Sequence, residues 1–251
     1  MKRRKFSGQL LKAVSSYALL SSVWNNDAIA KSISPNFNHW AIQLNEYCQD
    51  LRTNEISVVD WQSKVESLFR EVEYTEFMNF IDFETLIKGF EYPDLGVSTK
   101  MVKFPALSGL PERTAFVKKI FGMKKDRAII PHGHSNMASA HLILKGEMHI
   151  RHYEKVEELK DALVIKPTID KIAKSGDVSS ISDEKDNVHW FVANTDTAFT
   201  FDVIMLDLNE QSYDIHNLDI YAQQKLSDGN LLAPKLDVAT ALKKYGKLTH
   251  H

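Results

Sequence analysis

Between residues 38 and 90 the apolar positions recur every three or four residues, as in Trp40, Leu44, Tyr47 and Leu51, then Val59, Val65, Leu68 and Phe69. That spacing places them on one face of an α-helix and predicts two or three helices. In NEISVVDWQSKVESLF, Ser57 stands ahead of an apolar-periodic run as an N-cap, although a start at Asp60 fits the pattern equally well. Phe77, Met78, Phe80 and Phe83 read as core packing rather than as a cofactor box.

After about residue 96 the period shortens. Eight brief β-rich runs follow, punctuated by turn residues: AFVKKIF, RAIIPH, SAHLIL, EMHIRHY, DALVIKP, DVSSIS, VHWFVA and AFTFDVIML. Their near-regular spacing predicts a mainly β fold, a sandwich or small barrel, behind a helical N-terminal extension. Residues 209 to 251 are mixed in pattern, with PKLDVATALKKYGKL as a closing helix. The expected division is a targeting segment over 1–30, a helical extension over 31–95 and a barrel with its tail over 96–251.

Composition changes this picture in two places. With 251 residues, 43% of them hydrophobic, the chain can bury a sizeable core. The net charge of -2 conceals an asymmetry, because residues 1–30 carry Lys2, Arg3, Arg4, Lys5 and Lys12 against Asp27 alone. The rest is mildly acidic and has no Lys/Arg stripe, which excludes the electrostatic footprint of a nucleic-acid binder. The basic start, the weakly apolar AVSSYALLSSVW and Ala28-Ile29-Ala30 are the three parts of a cleavable export signal. Arg3-Arg4-Lys5-Phe6 resembles a twin-arginine signal, which implies the twin-arginine export machinery, a periplasmic or otherwise exported protein, and a mature chain starting near Lys31. No later apolar run reaches the 18 or so residues that span a bilayer. Cys48 is the only cysteine, so neither an intrachain disulfide nor a thiolate cluster can form, and it reads as a small buried hydrophobe.

The candidate chemistry is imidazole. Five of the ten histidines fall in PHGHSNMASAHLILKGEMHIRHYE, at 132, 134, 141, 149 and 152. In an extended strand, side chains at i and i+2 share a face, so His132 and His134 form a bidentate clamp. The one strand histidine downstream is His189, in DNVHWFVAN. Two adjacent imidazoles and one distant one leave coordination positions open, as catalytic metal sites do. His141 and Ser139 share parity and are expected to look into the barrel, His141 as an outer partner, a fourth ligand or a base. His149, Arg151 and Tyr153 share one strand face, with Met148, Ile150 and His152 on the other; the sequence leaves open which faces inward. Arg127 upstream, with His149 and Arg151, is a candidate receiver for substrate.

His132-x-His134 followed by Gly146, then Gly176-Asp177 leading to His189 and Asn194, resembles the two signature motifs of the cupins, double-stranded β-helix barrels. The usual cupin has a ligand glutamate seven residues before the glycine, where this chain has Ser139. That departure resembles the three-histidine thiol dioxygenases, and within them the branch that oxidises cysteamine and N-terminal cysteines: HGHSNM with Gly146, His149 and Tyr153, and NVHWFVANTDTAF with Asp202, match it over about 50 residues. Asp202 falls one residue later than that branch's aspartate, a slip that reverses the strand face unless a bulge absorbs it. The branch's following Pro-Pro-Tyr is replaced by LDLNEQ. The resemblance implies one divalent ion, iron(II) by preference with zinc, nickel and manganese also suited to three imidazoles, and an oxidation using O2 and a small thiol or enolisable substrate. A non-catalytic metal- or ligand-binding cupin, a Zn/Ni/Mn isomerase or hydrolase, and a homo-oligomer all stay open.

Overall fold

The computed structural model describes residues 35–248 apart from Gln211. The export signal expected over residues 1–30 lies outside them.

The helical extension consists of α1 (Pro35–Arg52), α2 (Val58–Glu71), α3 (Tyr74–Phe80) and α4 (Phe83–Ile87). Ser57 is the N-cap of α2: its hydroxyl accepts from the Asp60 amide at 3.0 Å, which places Asp60 inside the first turn. Glu73 caps α3 in the same way, its carboxylate accepting from the Thr75 and Glu76 amides. No helix among the described residues is long and apolar enough to cross a membrane.

The strands are β1 (Ser98–Met101), β2 (Val117–Lys124), β3 (Ala128–Ser135), β4 (Met137–Lys145), β5 (Glu147–Glu158), β6 (Ala162–Lys174), β7 (Val178–Ser182), β8 (Val188–Ala193), β9 (Thr197–Leu206), β10 (Asp214–Leu218), β11 (Gln224–Lys225) and β12 (Leu231–Leu236), followed by α5 (Val238–Tyr245). One sheet runs β1-β2-β9-β4-β7 and the other β10-β3-β8-β5-β6-β12-β11, both antiparallel. Each of the eight runs read as strands is one, and together they pair in a nested series: β5 with β6, β4 with β7, β3 with β8, β2 with β9. That nesting is a long hairpin rolled into two facing sheets, the jelly roll on which the cupin barrel is built. The tight β4–β5 link turns at Gly146, where φ is +78° and a Cβ would sit 2.4 Å from the Thr197 carbonyl oxygen.

Both sheets are covered outside. Against the first lies the helical extension, where Trp61, Phe69 and Phe77 join Phe199, Phe201 and Val203 in one core. Across this interface Gln62 of α2, fully buried, donates to Ser180 Oγ at 3.1 Å and accepts from Ser182 Oγ at 2.7 Å. Over the second sheet curls the C-terminal tail, since β12 pairs with β6, and β10 with both β3 and β12. The core so enclosed holds Tyr153, Trp190, Leu218 and Tyr245. Asp219 locks α5 onto it, accepting from Lys244 Nζ and Tyr245 Oη, each at 2.7 Å. Between the two sheets lies the third core, with Met123, Ile129, Met148, Ile150 and Phe191.

Candidate metal centre

The two histidines of β3 face the barrel interior because of an irregularity one strand turn earlier. Ile129 pairs with Phe191 and His132 with His189, so β3 spends three residues where β8 spends two. The extra residue falls at Ile130-Pro131, where proline cannot donate to the ladder. It resets the parity, so that Ile129, His132 and His134 all point inward although Ile129 and His132 are three apart. His189 sits between two histidines, opposite His132 on β3 and His152 on β5.

Ring centroids are 4.6 Å apart for His132 and His134, 4.2 Å for His132 and His189, and 5.2 Å for His134 and His189. One nitrogen from each ring lies within 4.8 Å of the other two. His132 Nδ1 is 2.6 Å from the Ile130 carbonyl oxygen. Only a protonated Nδ1 can donate there, which leaves the Nε2 lone pair free. Neither ring nitrogen of buried His134 has a partner, nor does Nδ1 of His189. Burial holds all three imidazoles neutral: His132 is lowered to about 4, and His134 and His189 lie well below the usual histidine range. Buried acceptors left without donors are costly, and three neutral imidazoles converging on one spot are what a divalent ion requires. The residues fit a metal ion.

Around this group the interior is graded. Phe191 lies edge-on to His189 and stacks on His152 with centroids 5.6 Å apart, while Ile150 and Met148 continue an apolar floor. His152 is fully buried with both nitrogens unpartnered, lowered to about 3 by desolvation. On the facing sheet, His141 Nδ1 lies 2.8 Å from Asp202 Oδ2, and His141 Nε2 is buried and unpartnered, its ring 5.6 Å from that of His189. Asp202 is thus on the inner face. Lys119 of β2 stands opposite Asp202 in the ladder; desolvation lowers its ammonium and the Asp202 charge opposes that. Ser139, also buried, shares the inner face of β4, its hydroxyl unpartnered. Neither the His141 ring nor the Asp202 carboxylate belongs to the three-nitrogen group.

Four expected site residues lie elsewhere. Inward placement of Met148, Ile150 and His152 sends His149 and Arg151 to the outer face, where His149 pairs with Asp170 and the Arg151 guanidinium lies 4.4 Å from the Trp190 ring centroid. Tyr153, opposite an extra residue in β6, is in the core under the C-terminal tail. Arg127 sits at the far end of β3, bridged by its backbone to Lys247, five residues and roughly 15 Å from His132. Strand parity alone does not choose between the faces of β5, since buried residues stand on both, Ile150 and His152 on one and Tyr153 on the other.

Three residues were missed. His152 was legible as a histidine in step with Met148 and Ile150, had their joint burial been weighed. Lys119 carries no local signal, because its inward face follows only from register with Asp202. Asn187, fully buried, accepts from the His134 amide at 3.0 Å and donates to the His134 carbonyl at 3.0 Å.

No family model matches the chain, and no curated protein matches it. Among solved structures, procruciferin, an 11S globulin from Brassica napus, is similar at 11% identity over 51% of this chain and 28% of that one, with a TM-score of 0.35. An oxalate oxidase in complex with glycolate is similar at 11% identity over 45% and 52%, TM-score 0.33. A cupin superfamily protein from Desulfitobacterium hafniense is similar at 13% identity over 48% and 86%, TM-score 0.31. The match spans less than two thirds of the globulin and of the oxidase. On its own strand order and side-chain geometry, the chain is a cupin-type β-barrel with N-terminal helices, carrying three histidines able to hold one metal ion.

Proposed function

We propose that the protein is an exported mononuclear metal cupin, a non-haem iron(II) dioxygenase acting on a small thiol or enolisable substrate. The observation that carries this reading is the composition of the centre: three neutral imidazoles converge with no carboxylate among them, and Ser139 stands on the strand face where the usual cupin resemblance expects one. Iron(II) held by His132, His134 and His189 would supply redox chemistry toward O2 and, with no anionic ligand, its full charge for an anionic substrate. The protein's own part is to orient and to exclude water. His132 keeps its tautomer through the Ile130 carbonyl, and His141, held at Nδ1 by Asp202, presents Nε2 to the same space, where it can take a proton from a bound thiol or enol. Phe191, Ile150 and Met148 close the floor against water.

A second reading has its own observation. His141 and His152 add unpartnered nitrogens beside the three, with rings 5.6 and 6.3 Å from His189. Either of them completing the coordination would favour a metal-storing or ligand-binding cupin over an open catalytic one. Elemental analysis of protein from its native compartment, followed by oxygen uptake of the iron-loaded form with small thiols, amino-terminal cysteine peptides and enolisable diketones, separates the two. Iron with substrate-dependent oxygen uptake is expected. Tight binding of another metal with no uptake on any substrate would leave the storage reading. Export through the twin-arginine machinery predicts a periplasmic form whose intact mass begins near Lys31; a full-length cytosolic protein would remove that part of the proposal.

A further inference from the structure

We infer that Asn187 is a positioning residue for the metal centre, tying the His134 ligand of β3 to the strand that delivers His189; this rests on the metal reading above. Main-chain pairing between β3 and β8 ends at His132 and His189. Continued by two residues, the register would set His134 opposite Asn187, and there the amide side chain does what a peptide would have done. Its Oδ1 accepts from the His134 amide and its Nδ2 donates to the His134 carbonyl, both at 3.0 Å, while Nδ2 also donates to the Ser182 carbonyl at 3.0 Å. Both backbone polar groups of His134 are therefore held by one side chain with no exposure.

The His134 ring has no hydrogen-bond partner of its own, so its backbone and its packing alone aim it before a metal arrives. His132 differs, since the Ile130 carbonyl holds its ring directly. Asn187 thus supplies for the second ligand, through the backbone, what the Ile130 carbonyl supplies for the first. A second, independent observation is Gly133. A Cβ on that residue would lie 2.8 Å from Asn187 Oδ1 and 3.0 Å from Val188 Cγ2. The glycine between the two ligand histidines leaves the space that the Asn187 amide crosses to reach His134, although Gly133 is not in the left-handed region. Lys155 Nζ shares the same carbonyl at 3.0 Å but reaches it from β5, so its bond ties His134 to that strand instead.

The test uses the full chain, metal-free, titrated with cobalt(II) and read by its visible d–d spectrum and by competition with a chelator. Asn187→Asp keeps shape and the acceptor but loses both donors; Asn187→Ser removes the reach without adding charge and serves if the aspartate variant does not fold. Asn45→Ala, a buried amide on α1 whose Oδ1 accepts from the Ala115 amide and shares no hydrogen-bond partner with Asn187, controls for loss of stability. Either Asn187 variant should weaken cobalt binding by about 10- to 100-fold and alter the spectrum at saturating cobalt, while Asn45→Ala melts lower yet keeps wild-type affinity and spectrum. An Asn187 variant with the wild-type affinity and spectrum overturns the inference and leaves the metal centre standing. Wild-type protein that binds no cobalt overturns the metal reading itself, and this inference with it.

Discussion

His141 Nδ1 and Asp202 Oδ2 are 2.8 Å apart, on neighbouring strands in direct register, with both side chains almost wholly shielded from water. The carboxylate obliges Nδ1 to carry the proton, so Nε2 faces the three ligand histidines as an acceptor. Among the described residues of the barrel interior, this is the pair in which a carboxylate orients an imidazole outside the three-histidine group.

Asp202→Asn tests that orientation with little change of volume. An amide can donate as well as accept, so the His141 tautomer is no longer dictated, and the proton acceptor at Nε2 is lost in part of the population. Metal content should stay at the wild-type level while substrate-dependent oxygen uptake falls by about 100-fold, the lower end of what a positioned base contributes. Equal loss of metal and turnover would instead place Asp202 among the groups that hold the ion.

The missing carboxylate is tested at Ser139. A glutamate there would reach the interior face of β4 and bring an anion to the centre, occupying a coordination place and reducing the pull on an anionic substrate. Ser139→Glu should therefore retain or raise metal occupancy and lower oxygen uptake. His189→Ala should abolish both, because it removes the imidazole that lies between the other strands' histidines. Elemental analysis beside the oxygen electrode distinguishes the two outcomes.

Most of the barrel was legible because its eight central strands are buried on at least one face and their apolar runs are bounded by turns. The added strands were not. β1, STKM, is a short polar edge; β10, DIHNL, and β12, with Pro234, lack alternation and exist because they pair with β3 and β6. The His-x-His clamp and His189 were visible in spacing, yet the Pro131 bulge that turns them inward alongside Ile129 was not. Asp202 shows the converse: counted against the motif it fell out of phase, while register with His141 of β4 and Lys119 of β2, along an unbroken β9, sets it inside. The outer positions of Arg151 and Tyr153 go with the C-terminal tail, whose Tyr221 and Tyr245 pack on Trp190 and bury a second face that local pattern treats as solvent, while His149 lies beside exposed Asp170.

The helical extension is predicted to be part of the same folding unit as the barrel, and Gln62 reports on it. Its amide satisfies Ser180 and Ser182 of β7 and, at 3.4 Å, the Lys185 carbonyl. Gln62→Ala removes these bonds across the interface while Ser180 keeps Glu66, Ser182 Oγ keeps the Glu184 and Lys185 amides, and the Lys185 carbonyl keeps the Ser182 amide, so the cost is about 1 kcal/mol per bond lost. A single cooperative melt, shifted down but not split, is expected by calorimetry. Two separated transitions would show that the helices unfold independently of the barrel.

The buried histidines predict an acid sensitivity of the metal-free protein with a definite sign. His132 is lowered to about 4 and His152 to about 3, both by burial, against about 6.5 in an unfolded chain. Between those values the unfolded state binds protons that the folded state refuses, so stability is full above pH 6.5 and falls as the pH drops toward 4 and then 3. His152 isolates one contribution, since it stacks on Phe191 and makes no hydrogen bond that its removal would break. His152→Phe keeps an aromatic ring of similar size and cannot titrate. Thermal melts of metal-free protein from pH 7.5 to 4.5 should fall less steeply for this variant than for wild type, and the two curves should converge at the acid end relative to their separation at neutral pH if Phe packs less well. Parallel curves across the whole range would show that His152 takes up its proton in the folded state as readily as in the unfolded chain, and would remove burial as the force that keeps this imidazole neutral.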